Sequence, residues 1–434
     1  MELSERKIAA QFQLLVGAAE TVLAGMFGRK APADRELAAF YRTNRQCGSR
    51  DRAFINRTVY TLLRHWGWAR KLAGERLVSE LETGKALPSE RDVSALLFFA
   101  LACGGNDRES LSSAARIIGV QVPGGLTALP REKRAAAAAG ALDIPMTFRE
   151  EELLPEWARP LLPADFARRM PERPPMWLRI NRNGQDHVLE ELAAAGVAVE
   201  TFPEFPEAAA VSAPSVNLAV LPCFQKGEVE VQDLASQCIV RFCAPRRKER
   251  WFDPCAGAGG KTLAIAEAMG RTGTVVAGDV RERILLELRR RARRSGYPDI
   301  VTRCHDGRPW RGLKPFDGVL IDAPCSCSGV WRRAPWGPWT MEEADIAKYA
   351  EKQTGILHSF SPCVKPGGVL VYATCSAFRQ ENEEVVERFL GAHPDFVLSR
   401  APDPFTGAPG DGFMHMPEGF DCDIMFAAKM ERKK

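Results

Sequence analysis

The sequence predicts three folded parts in series: an all-α amino-terminal domain, a small α/β subdomain, and a doubly wound α/β domain. Three observations predict this. Apolar residues recur at helical spacing through the first 145 residues. A proline-rich stretch follows, ending in Pro171-Glu-Arg-Pro-Pro175. From Arg250 onward, short apolar runs alternate with helix-length segments, the pattern of βαβ units around a mostly parallel sheet. At 434 residues the chain is too long for one ordinary domain. A hydrophobic fraction of 45% with 26% charged residues suits a soluble globular protein with a sizeable core.

Residues 1–145 form the helical domain. Helical spacing is clear in Ile8 to Val16 and in Phe54-Ile55, Val59-Tyr60 and Leu62-Leu63, with Asp51 placed to cap the second helix. No glycine loop, paired acid or histidine cluster lies here, so this part is an accessory domain. Residues 146–172 read as a linker with short helical pieces. Residues 173–235 read strand–helix–strand, through Trp177–Asn181, Val188–Ala195 and Val197–Thr201. Residues 236–434 hold the larger domain. Its strands are expected at Trp251–Asp253, Gly273–Asp279, Ile300–Cys304, Phe316–Asp322, Val369–Thr374 and Ile424–Lys429. Right-handed crossovers put the carboxyl ends of parallel strands, and any ligand, on one edge. Asp253, Asp279, Asp322 and Cys375 all fall at or just past such ends.

Asp253-Pro-Cys-Ala-Gly-Ala-Gly-Gly-Lys-Thr262 joins the first of these strands to a helix. Its glycines let backbone pass close to a ligand, and the helix start offers free N–H groups. Gly-Lys-Thr suggests a phosphate loop, but Cys255 stands where that motif needs glycine, and Thr262 occupies the third glycine of the dinucleotide pattern. Asp279, twenty residues after Gly259, is placed to accept both hydroxyls of a ribose. Asp306 is placed to contact an adenine amino group. Together these favour S-adenosylmethionine over a phosphate-bearing nucleotide.

Asp322-Ala-Pro-Cys325 and Tyr372-Ala-Thr-Cys375-Ser376 put a carboxyl and two thiols on the same edge. Carbon 5 of cytosine is a poor nucleophile until a thiolate adds to carbon 6 and makes the ring an enamine; two thiols, one acid and a methyl-donor pocket are the parts this chemistry needs. Asp322 can hydrogen-bond ring N3 and the exocyclic amine. The polar site is expected to raise the thiolate fraction of Cys375. Cys103, Cys238, Cys243, Cys304 and Cys363 are read as inert core thiols. Twelve cysteines without paired Cys-x-x-Cys knuckles, and the unsuitable spacing of Cys325-Ser-Cys327, point to no metal site. The net charge of +4 says little about nucleic acid, so clustering matters more. Arg289–Arg294 reads equally as a solvated helix face, whereas Arg332 and Arg333 among Trp331, Trp336 and Trp339 suit phosphate contact and stacking on unpaired RNA.

Over residues 173–430 the chain resembles the NOL1/NOP2/Sun family of RNA cytosine-5 methyltransferases. The resemblance rests on Leu178-Arg-Ile-Asn181, Val231–Gln237, Asp253–Thr262, Asp322–Ser326, Arg332-Arg333-x-Pro335, Lys365-Pro-Gly-Gly368, Ala373–Ser376, Glu381-Asn-Glu383 and Met425–Ala428. It implies that Cys375 is the nucleophile, that Cys325 aids product release and that Asp322 holds the base. It further implies that Cys255, Ala256, Gly257, Ala258, Gly259, Gly260, Lys261, Asp279, Asp306 and Asp322 bind S-adenosylmethionine, and that Arg179, Asn181, Arg332 and Arg333 meet RNA. Ser49–Phe54 and Val59–Arg64 resemble a NusB-like RNA-binding domain. The implied fold is thus a NusB-like helical domain, an RRM-like subdomain and a Rossmann-like class I methyltransferase domain, the layout of bacterial members that modify small-subunit ribosomal RNA. Gly257-Ala258, Cys327 and Trp336-Gly-Pro-Trp339 depart from the family's usual residues.

The expected protein is therefore a monomeric, cytoplasmic enzyme forming 5-methylcytosine in small-subunit ribosomal RNA, with no metal and no membrane association. No apolar run is expected to approach the ~20 residues of a bilayer span, and the amino terminus lacks the pattern of a secretory signal. An exocyclic-amine methyltransferase would need no thiol at Cys375. A non-catalytic ribosome-assembly factor would need only the RNA-binding surface.

Overall fold

A computed structural model of the chain describes residues 5–83, 89–105, 108–181, 185–211, 217–297 and 299–434. They form two compact units, Met1–Arg173 with Trp331–Glu343, and Pro174–Val330 with Ala344–Lys434.

The first unit is helical. Helices Glu5–Arg29, Ala33–Thr43, Ser49–Arg64, Trp66–Glu82, Arg108–Ile118 and Arg131–Ala141 accompany Glu90–Gly104. In that last helix Val93 and Leu96 through Cys103 are all buried, as expected of a helix apolar all round. Ala9–Arg29 is long and apolar enough to cross a membrane, which corrects the expectation that no run approaches that length. Here Phe12, Leu15, Val16, Ala19, Val22, Leu23 and Met26, at helical spacing, form a stripe buried in the helical core. Asp51 is not the cap of its helix. It sits three residues inside, and its carboxylate accepts from the N–H of Gly48, the true cap residue, at 2.9 Å.

Trp331–Glu343, placed by the sequence in the larger domain, belongs to this unit. Trp331 is fully buried against Trp157 and Phe166. Trp336 packs edge-on to Tyr60, and the Arg70 guanidinium lies over Trp339. Arg332 is 5% exposed and donates to the carbonyl of Arg169. The stacking surface expected of Trp331 and Arg332 is instead part of the unit's own packing, because aromatic rings gain most when they leave water.

The second unit holds two sheets. The smaller is antiparallel, ordered β2-β3-β1-β4, with β1 at Met176–Ile180, β2 at Glu200–Phe202, β3 at Phe205–Val211 and β4 at Val229–Val231. The larger has seven strands: β5 (Arg250–Asp253), β6 (Thr274–Asp279), β7 (Val301–Cys304), β8 (Phe316–Asp322), β9 (Val364–Thr374), β10 (Phe396–Leu398) and β11 (Phe426–Arg432). Their order is β10-β11-β9-β8-β5-β6-β7. The pairs from β9 to β7 are parallel, while β11 alone runs against the rest, pairing antiparallel with β9 and β10. Side chains alternate across the sheet: Trp251, Val275, Leu320 and Val371 enter one core, and Phe252, Val276, Ile321 and Leu370 the other. The chain runs β5, β6, β7 to one side and then returns to β8 and β9 on the other. The reversal falls between β5 and β8, where doubly wound sheets bind ligands. Arg291 and Arg294 of the basic helix Glu282–Arg294 close on the buried Glu230, so that face is partly structural.

Candidate active site

Four strand ends build the site. At the end of β5, Asp253 is buried, accepting from the Thr262 hydroxyl at 2.7 Å and the Cys255 N–H at 3.3 Å. Burial pushes its carboxyl up to about 7. The loop that follows turns through Gly257 and Gly259, whose φ values of 52° and 88° favour glycine. At Gly259 a Cβ would also lie 2.6 Å from Leu288. The N–H of Gly257 donates to Asp279 at the end of β6, 3.0 Å away. Burial pushes the Asp279 carboxyl up, but hydrogen bonds from Arg281 and from Gly257 outweigh it and hold the group below the usual range.

A cavity of about 560 Å³ lies over these ends, within the range of small-molecule sites. Cys255, Ala256, Gly257, Ala258, Gly260, Lys261, Asp279 and Asp322 line it, with Val280, Ile356 and Phe360 as apolar walls. Gly259 and Asp306 are not on its wall; Asp306 is exposed, and its neighbours His305 and Gly307 line the cavity instead. These residues fit a nucleoside-bearing methyl donor. Asp279 offers a carboxylate whose side-chain partner, Arg281, is exposed and displaceable, and the apolar walls suit a flat base.

Lys261 crosses to β8, where its Nζ lies 2.8 Å from Oδ2 of Asp322. Burial would lower the Lys261 ammonium, but the Asp322 carboxylate raises it further, so it stays charged. Burial raises Asp322 more than Lys261 lowers it, so this carboxyl holds a proton more readily than an ordinary aspartate.

The two thiols singled out in the sequence meet. Sγ of Cys325, past β8, is 3.3 Å from Sγ of Cys375, past β9. The hydrogen bond from Cys325 lowers the Cys375 thiol, but the bond to Cys327 and burial push it up, to about 12. The contact with Cys327, ahead of burial, thus works against the expected rise in thiolate fraction. Cys103, Cys238, Cys243 and Cys363 are buried as expected, whereas Cys304 is exposed at the end of β7, the edge strand of the sheet.

One residue given no role from the sequence ties the thiol loops together. Glu381 is fully buried and accepts from the Ser326 N–H at 2.9 Å, from the Ser376 hydroxyl at 2.5 Å, from Gln353 at 2.8 Å and from the Ser326 hydroxyl. Ser326 follows Cys325 and Ser376 follows Cys375, so one carboxylate fixes both. Asn382 holds the second loop too, donating to the Ser376 carbonyl and accepting from Thr374. The Glu-Asn-Glu run carried the resemblance, but nothing local says where its carboxylate points.

Arg179, on β1, is 5% exposed and bonds Gln232 and Glu267. Its side chain is thus engaged within the unit. Asn181 donates to the carbonyl of Gly227 at 2.8 Å.

Residues 240–431 match the family model described as 16S rRNA methyltransferase RsmB/F. The chain is 40% identical over 268 residues to "Ribosomal RNA small subunit methyltransferase B" of Salmonella paratyphi B, covering 60% of this chain and 61% of that protein. A Klebsiella pneumoniae protein of the same description is 39% identical over 269 residues, covering 61% of each. The alignments thus span about three-fifths of these relatives' length. Among solved structures, PH0851 superposes with a TM-score of 0.73 at 23% identity, covering 96% of this chain and 99% of that one. NSun6 from Pyrococcus horikoshii with SFG gives 0.55 at 19% identity, covering 64% and 98%. These two likenesses establish the α/β methyltransferase fold.

Proposed function

We propose that this chain, whose residues 240–431 are a methyltransferase domain of the RsmB/F family, is an S-adenosylmethionine-dependent RNA (cytosine-5) methyltransferase acting on small-subunit ribosomal RNA in the cytoplasm. The observation that carries the reading is the pair of thiols 3.3 Å apart, beside the Lys261–Asp322 ion pair and the glycine-loop cavity. An exocyclic-amine methyltransferase would have no use for that pair.

When bound, S-adenosylmethionine supplies an activated methyl group. The glycine loop and Asp279 hold it, Asp279 accepting from the ribose hydroxyls. Asp322, paired with Lys261, hydrogen-bonds N3 and the exocyclic amine of an unpaired cytosine. Cys375 adds through Sγ to carbon 6, and the electron pair displaced from the C5–C6 bond makes carbon 5 nucleophilic. The Cys375 thiol gives up its proton to a solvent base as it attacks. Once carbon 5 has been methylated, a base takes its proton, the C5–C6 double bond re-forms and the C6–S bond breaks with its electron pair on sulfur. Cys325, within hydrogen-bond reach of the departing sulfur, assists that step. The target base has to be unstacked to enter. A NusB-like role for the helical unit, an RRM-like role for the small sheet, RNA contacts by Asn181 and Arg333, and an adenine contact by Asp306 belong to the same reading, supported by resemblance.

The test is incubation with labelled S-adenosylmethionine and unmodified small-subunit ribosomal RNA, with a transfer-RNA pool alongside. One 5-methylcytosine in the ribosomal RNA is expected. Cys325→Ala should accumulate a covalent protein–RNA adduct and Cys375→Ala should abolish both adduct and product. Full activity of Cys375→Ala would overturn the mechanism, and transfer to transfer RNA alone would overturn the substrate.

A further inference from the structure

The active edge carries a third thiol that the mechanism does not use. Cys327, two residues past Cys325, is exposed, and its Sγ lies 3.6 Å from the Cys325 carbonyl oxygen. The sulfurs of Cys325, Cys327 and Cys375 all lie within 4.8 Å of one another. Among the described residues they are the one cluster of three metal-ligating side chains this close. The fold makes the cluster, since Cys375 arrives from a different strand end, fifty residues on. Spacing alone sees only Cys325-Ser-Cys327, which is why the sequence argued against a metal.

A zinc-like ion with Zn–S bonds of about 2.3 Å holds tetrahedral sulfurs roughly 3.8 Å apart. One pair here is already at 3.3 Å and none exceeds 4.8 Å, so rotamer adjustment of about 1 Å completes three legs of a tetrahedron. The exposed Cys327 gives an ion an approach from solvent, which also supplies the fourth ligand. The Lys261 ammonium lies near Cys375 and offsets the negative charge of three thiolates around a divalent ion. The backbone adds a second point: Cys327 has φ 57°, a conformation where glycine is the low-cost choice. A thiol stands there at some cost in strain.

We propose that Cys325, Cys327 and Cys375 form a three-thiolate site for a soft divalent cation of the zinc and cadmium class. Occupancy would sequester the sulfur that has to add to the base. That consequence rests on the proposed function; the binding itself does not.

The test titrates the full reduced chain with Cd²⁺ and follows the ultraviolet thiolate-to-cadmium charge-transfer band, with native mass spectrometry to count bound ions. One ion per chain is expected. Cys327→Gly, which relieves the backbone rather than straining it, should weaken binding by more than about 10-fold, the low end of what losing even an outer-shell partner costs. Stoichiometric Zn²⁺ should inhibit methyl transfer by the parent chain and spare the Cys327→Gly chain. Equal affinity of the two chains, or no saturable band, overturns the site. A saturable, Cys327-dependent band in a chain with no methyl transfer keeps the site and overturns the function instead.

Discussion

Replacing Glu381 by glutamine tests whether the active edge is held together as its hydrogen bonds indicate. The carboxylate is fully buried and takes four hydrogen bonds, from Ser326 twice, Ser376 and Gln353. Glutamine keeps the shape and one oxygen, which can still serve the Ser326 N–H and Gln353. Its NH₂ group then faces two hydroxyls that had been donating. Both must turn and accept, and Ser376 already accepts from the Phe378 N–H. All four bonds thus lose their charge assistance and two must also reverse, a loss of about 0.5–1 kcal/mol each and roughly 2–4 kcal/mol in all. Glu381→Ala strands the Ser326 N–H as well, at a cost of about 3–5 kcal/mol. Calorimetric unfolding of the full chain measures both. The functional effect is separate: loosened loops no longer hold the two sulfurs in register, and a misplacement near 1 Å costs about 100-fold in rate. Single-turnover methyl transfer should fall by 10- to 100-fold in Glu381→Gln, on the order of that limit, with little change in KM for RNA. An unchanged rate at lowered stability would confine Glu381 to a structural part. An unchanged stability would refute the hydrogen-bond argument itself.

Four further outcomes follow from the site. Burial raises the Asp253 carboxyl from its ordinary 3.8 to about 7, so between those pH values the folded state binds the extra proton. The stability that Asp253 contributes should be full below pH 4 and be lost as pH rises to 7, by up to roughly 4 kcal/mol, so the difference between the parent and Asp253→Asn should change across that window in pH-dependent denaturation. Alkylation of Cys375, followed by peptide mass mapping, should be faster near neutral pH in a Cys327→Gly chain than in the parent, since the variant keeps the Cys325 hydrogen bond that lowers the thiol and loses the Cys327 contact that raises it. Asp279→Ala should raise KM for S-adenosylmethionine by at least about 10-fold while leaving RNA binding in place, read by isothermal titration. Lys261→Met should destabilise the fold by about 1–3 kcal/mol, since Asp322, left without its cation, is 32% exposed at its side chain and can take up a proton, and Lys261→Arg should recover most of the stability in the same melt.

Much of the larger domain is readable from local pattern. Strands β5, β6, β7 and β8 fall within a residue of their expected starts because alternating and continuous apolar runs, bounded by glycine and proline, have few other uses. The glycine loop, Asp279, Asp322 and both cysteines lie where strand-then-helix succession sends them. Strands β3, β4 and β10 escaped notice: two are only three residues long, and the run of alanines in Phe205–Val211 carries little β signal. Asp51 and Gly48 exchanged cap positions because a carboxylate can serve as the cap or from three residues inside.

What the sequence determined by itself is the set of chemical groups and the strand ends that carry them, since side-chain period, turn residues and crossover handedness are local rules. Only the tertiary structure decided which of those groups touch. The Cys325–Cys375 contact, the Glu381 clamp across the two serines, the Lys261–Asp322 pair and the capture of Arg179 by Glu267 join residues 50, 55, 61 and 88 positions apart. The same holds for Trp331–Glu343, whose tryptophans and arginines have the composition of an RNA platform and whose Trp331 and Arg332 are packed inside the helical unit. An aromatic or arginine side chain can stack on a nucleic-acid base or on a neighbouring ring. Which of the two it meets is settled by how much surface the whole chain can withdraw from water, and that is a property of the packed fold.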